Sequence, residues 1–76
     1  MKIEKVTTLP THYFDIHIMD GKRGYSVAFK MDADQVPDNE TILRAAIKAN
    51  TIDNEDSRYM DSITPIDAEE YAELSK

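Results

Sequence analysis

The stretch from His12 to Met31 constrains the fold more than any other, because apolar side chains recur there at every second position. Phe14, Ile16 and Ile18 share one side of an extended chain, and Tyr13, Asp15, His17 and Met19 share the other. This is the period of a half-buried strand. Beyond Asp20-Gly21-Lys22-Arg23-Gly24 the alternation resumes, with Tyr25, Val27, Phe29 and Met31 on one side and Gly24, Ser26, Ala28 and Lys30 on the other. Both glycines of the chain lie in the connection, where positive φ is needed, so the stretch reads as a β-hairpin. Parity limits its turn. A two-residue Asp20-Gly21 turn sets Ile16 opposite Tyr25, and a four-residue loop sets Ile16 opposite Val27. An odd loop without a bulge would put the two apolar rows on opposite faces of the sheet.

The remaining segments are shorter and take their identity from their boundaries. Met1 to Thr8 reads as an edge strand, ended by Leu9-Pro10-Thr11, since proline cannot donate to a ladder. Asp32 and Asp34 alternate as in a calcium loop, but Val36-Pro37 stands where further oxygen ligands and a glycine are required, so no metal is expected. Asp38 suits an N-cap, and Ile42, Leu43, Ala46 and Ile47 form an apolar stripe, which predicts a helix from Asn39 to Ala49 with Asn50 as a left-handed cap. Thr51 to Asp56 is loop by composition. Ser57 to Ile63 reads as an edge strand, or the strand nearest a functional surface, with Tyr59 and Ile63 facing one way and Met60 the other. A second helix is expected from Pro65 to Ser75, capped by Thr64, with Asp67-Ala68-Glu69-Glu70 offering a slightly later capping box. Ala68, Tyr71, Ala72 and Leu74 would face inward. The whole, residues 1–76, is expected to be a single small α+β domain in two layers. A hairpin-centred antiparallel sheet carries two helices on one face, in the order β-β-β-α-β-α.

Size and residue types exclude several kinds of chemistry. A chain of 76 residues builds only a small core, and the absence of cysteine removes disulfides and thiolate metal sites. No apolar run approaches the length of a membrane span, and Met1-Lys2-Ile3-Glu4-Lys5 lacks the apolar segment of a signal peptide, so a cytoplasmic protein without membrane attachment is expected. His17 shares a strand face with Asp15, a pair able to orient an imidazole as a base. Yet no glycine-flanked serine, phosphate-cradling loop or helical histidine pair accompanies it. His17 is read instead as a strand histidine facing solvent, and His12 as the polar end of the Phe14 row. No enzymatic activity and no cofactor are expected.

The charge of −6 is unevenly spread: residues 1–31 sum to +2 and residues 32–76 to −8. The acidic half argues against direct binding to nucleic acid or an anionic membrane, and favours a basic partner. Solubility alone is the competing explanation of such a charge. Asp53, Glu55, Asp56, Tyr59, Asp61, Ser62, Ile63, Glu69, Glu70 and Glu73 are the candidate protein-binding residues. Carboxylates displayed at intervals on a rigid surface would imitate phosphates and occupy the basic surface of a nucleic-acid-binding protein. In size, charge and lack of cysteine the chain is similar to small phage and mobile-element proteins that block restriction, repair or CRISPR enzymes. Asp61-Ser62-Ile63 ahead of Asp67-Ala68-Glu69-Glu70 resembles the Glu-Ser-Ile segment before a helix in phage-type uracil-DNA glycosylase inhibitors. That resemblance implies that Asp61 and Ser62 contact the enzyme's DNA-binding loops while Ile63 packs beneath them. Asp replaces Glu here, and the rest of the chain does not follow that family's pattern. The expected function is therefore a non-enzymatic inhibitor acting as a nucleic-acid mimic, as a monomer or a homodimer. The alternative is a homo-oligomeric assembly module that uses Tyr13, His17 and Met19 on the open face of the hairpin.

Overall fold

Strands β1 (Thr11–Asp20) and β2 (Arg23–Asp32) form the expected hairpin. Ile16 stands opposite Val27 and Asp20 opposite Arg23, so the register is that of the longer-loop alternative while the turn itself closes on Gly21-Lys22. Gly21, at φ +65°, takes the first central position, where a tight hairpin turn of this hand requires glycine. This computed structural model describes residues 9–76. The strand expected over Met1 to Thr8 lies outside the described residues.

Phe14, Ile16 and Ile18 are almost wholly buried, and they form the core with Phe29, Ile42, Ala46 and Ile52. Burying each large side chain contributes roughly 1.5–3 kcal/mol. Ile42 and Ala46 come from helix α1 (Asn39–Lys48), the helix predicted from the apolar stripe. Its ends are closed as the sequence suggests. Asp38 accepts a 2.8 Å bond from the Thr41 amide, and bonds from Thr41 hold its carboxyl below the ordinary aspartate range. At the other end Asn50, at φ 60°, donates its amide to the Ile47 carbonyl, and Thr51 donates to that of Ala46. These two bonds make a Schellman closure. It turns the chain back so that Ile52 enters the core.

The third described strand, β3 (Met60–Ile66), pairs with the free side of β1, giving a three-stranded antiparallel sheet of order β2-β1-β3. Among the described strands it lies at the edge, as expected, but its bounds differ. Ser57, Arg58 and Tyr59 belong to a 3₁₀ turn over Asp56–Tyr59, and the strand continues through Thr64, Pro65 and Ile66. Pro65 is tolerated because an edge strand does not need every amide. Met60 and Ile63, expected on opposite faces, both pack on the core. The cause is a β-bulge: His17 pairs with Ser62 and Ile18 with Met60, leaving Asp61 as an extra residue that resets the alternation.

Because β3 runs on to Ile66, helix α2 (Ala68–Leu74) starts later than Pro65. The later capping box wins, with the Glu70 amide bonded to Asp67 Oδ1 at 2.8 Å. The α+β class stands, with described order β1, β2, α1, 3₁₀ turn, β3, α2. The helices, however, divide between the two faces of the sheet. Tyr71 packs on Tyr13, ring centroids 5.2 Å apart, and the Lys30 ammonium lies 5.6 Å from the Tyr71 ring centre. Tyr13 and Lys30 point away from Phe14 and Phe29, so α2 covers the side opposite α1. Ala68 and Ala72, expected inward, are exposed, and Tyr71 with the half-buried Leu74 makes the helix's inner face.

Candidate protein-binding surface

The turn end of the hairpin brings together acidic residues that are far apart in sequence. Ile52, only 5% exposed, anchors the start of the acidic loop in the core. Asp53 then accepts the Asp56 amide through Oδ1 at 2.7 Å, and the Ser57 hydroxyl donates to the Asn54 carbonyl at 2.7 Å. The loop is therefore braced from within. From this frame Asp56 accepts, through Oδ2, a 2.8 Å bond from the hydroxyl of Tyr25 on β2. Tyr25 continues the apolar row of β2, yet it is 42% exposed at the row's open end. Its phenol is held above the ordinary range, foremost by the hydrogen bond to Asp56. Desolvation adds to this, as does the negative field of Asp56, Asp53 and Asp20.

Beside Tyr25 the surface forms an open groove of about 390 Å³. Val27, Ile47 and Ile52 supply its apolar lining, and Asp53 and Asp56 are its charged lining residues among the described residues.

The other predicted residues are not gathered here. Glu55 belongs to the same loop, and Tyr59, 41% exposed, ends the 3₁₀ turn that follows. Asp61 and Ser62 lie on β3, where the bulge brings the Asp61 carboxylate to 3.3 Å from His17 Nδ1. Ile63 is half-buried against the core below them. Glu69, Glu70 and Glu73 are exposed on α2, which packs near Tyr13 at the opposite end of β1. Five residues of strand from Tyr13 to Ile18 span roughly 17 Å. The acidic candidates thus form a turn-end group and a helix group, with Asp61 on the face between. Tyr25 and Asp20 were missed in the sequence. Tyr25 reads there as a core-row residue, and its partner Asp56 is 31 positions away.

The histidines take structural places. His12 Nε2 donates to the Ala33 carbonyl at 3.0 Å, and its ring stacks on Phe14 with centroids 6.4 Å apart. His17 finds its carboxylate in Asp61, across the sheet, and not in Asp15 on its own strand. Asp15 Oδ1 is buried without a hydrogen-bond partner among the described residues. On the hairpin face proposed for assembly, Tyr13 is covered by Tyr71 and Met19 stays exposed. Gly24 lies beneath the Met19 and His17 side chains, in space that a Cβ would contest with Met19 Sδ at 2.6 Å. Among the described residues, no group of three or more His, Cys, Asp or Glu side chains is placed to hold a metal ion, and no helix is long and apolar enough to cross a membrane.

No protein-family model, curated protein or solved structure matches this chain.

Proposed function

We propose that this chain is a non-enzymatic protein-binding inhibitor, of the kind carried by phages and mobile elements. In this reading its acidic surface docks on the basic surface of a nucleic-acid-processing or defence enzyme and takes the place of phosphates. The observation that carries the reading is the turn-end arrangement, in which Tyr25 of β2 is hydrogen-bonded to Asp56 and borders one groove with Asp53, both aspartates belonging to the segment that Ile52 anchors in the core. Rigid carboxylates around a partly exposed aromatic ring combine long-range steering with a packed contact. Glu69, Glu70 and Glu73 on α2 supply a second negative zone that would extend the contact or orient the approach.

The test is affinity capture from bacterial extract at low and at high salt, with three baits: the intact chain, an Asp53→Asn/Asp56→Asn variant and a Glu69→Gln/Glu70→Gln/Glu73→Gln variant. The reading expects a nucleic-acid enzyme that elutes with salt and is lost from at least one variant. A partner that resists salt and binds all three baits equally would refute it, and so would self-association as the sole outcome.

A further inference from the structure

The groove beside Tyr25 has a composition that selects its occupant. Its apolar side is made by Val27, Ile47, Ile52 and the Tyr25 ring, and among the described residues the charged groups lining it are carboxylates. Each of these carboxylates has one oxygen already engaged: Asp56 Oδ2 by the Tyr25 hydroxyl and Asp53 Oδ1 by the Asp56 amide. The second oxygens, Asp53 Oδ2 and Asp56 Oδ1, have no hydrogen-bond donor among the described residues. Two fixed carboxylates with a spare acceptor each, an aromatic ring and an apolar wall suit a long side chain with an apolar stem and a cationic head.

We infer that this groove receives an arginine side chain of the partner protein, with the guanidinium between Asp53 and Asp56, its plane against Tyr25, and its methylene stem along Val27, Ile47 and Ile52. Arginine fits better than lysine because its planar fork donates to two acceptors at once and stacks on an aromatic ring. An ammonium satisfies the charge but not the geometry. The inference rests on the inhibitor reading and sharpens it. It names one side chain as the anchor and places it at the turn end, away from α2.

The experiment is an amide and side-chain NMR titration of the full chain with three capped tripeptides, Gly-Arg-Gly, Gly-Lys-Gly and Gly-citrulline-Gly. The expected result is saturable shifts confined to Tyr25, Val27, Ile47 and residues 52–56, with millimolar affinity for the arginine peptide. Lysine should bind at least threefold more weakly and citrulline not measurably. Asp53→Asn/Asp56→Asn should weaken arginine binding at least fivefold. Tyr25→Leu should reduce the preference for arginine over lysine. The Glu69→Gln/Glu70→Gln/Glu73→Gln variant, with one more charge removed, should leave binding within twofold. Shifts spread over α2 and the loop alike, or equal binding of arginine and citrulline, would overturn the groove assignment. The capture experiment separates the two ideas: a salt-sensitive enzyme lost only when the α2 glutamates are changed would preserve the inhibitor reading and reject the groove.

Discussion

Replacing Ile52 by alanine tests whether the acidic loop is held by the core. The substitution removes three carbons from a side chain that is 5% exposed. At about 0.8 kcal/mol per buried methylene the lost transfer energy is about 2.4 kcal/mol. A cavity adds to this only if the surroundings cannot close over it. Ile52 borders an open groove, where water and the loop itself can move in, so the total should stay near 2.5–3 kcal/mol. Ile16 gives the contrast, because it is fully buried on the central strand between Val27 and Ile63 and no groove relieves it. Ile16→Ala should cost about 4 kcal/mol. A domain of this size has a total stability of roughly 4–11 kcal/mol, so Ile52→Ala should stay folded throughout that range and melt below the parent, whereas Ile16→Ala removes all of the stability at its lower end. Urea denaturation followed by circular dichroism gives both values. A cost for Ile52→Ala below about 1 kcal/mol, or one equal to that of Ile16→Ala, would show that the core does not hold the loop through this side chain.

Three further outcomes follow from the geometry. Tyr25 should ionise above the ordinary phenol range in an ultraviolet pH titration, and Asp56→Asn should bring it back towards that range; equal titration in both proteins would remove Asp56 as the cause. The sign of the linkage follows from the raised value: the folded state retains the phenol proton, so the stabilisation is complete below the unfolded pKa and is lost as pH rises through the folded one. Asn50→Ala should lower stability by about 1 kcal/mol, while Asn50→Gly should not lower it, because only the alanine is strained at φ 60°; identical melts would refute a left-handed cap. Asp67→Ala should cost about 1 kcal/mol and Thr64→Ala less than about half of that, the order set by which residue caps α2; thermal melts showing the reverse order would return the helix start to Pro65.

What could be read from the sequence was local and periodic. The two apolar rows of the hairpin, the N-cap at Asp38 and the left-handed Asn50 each depend on residues within a few positions, and each occupies its expected place. The boundary between β3 and α2 was harder, because Thr64 and Asp67 are both competent caps. Tertiary pairing decided between them: Ile66 continues the ladder opposite Tyr13, which leaves only Asp67 free to start the helix. The bulge at Asp61 defeated the reading of faces, since one unpaired residue inverts every assignment on its far side. The acidic surface was legible only as composition. The group around Tyr25 exists because the hairpin turn and the loop after α1 meet in space, and no spacing along the chain encodes that meeting.

The bulge has a consequence for chain length. Without Asp61, Met60 would follow Ser62 along the ladder opposite Ile18, the partner it already has, and both apolar neighbours would keep their places in the core. The sheet is therefore complete one residue shorter. Position 61 is a point where the protein can lose a residue without changing its architecture, and what such a deletion removes is the carboxylate beside His17.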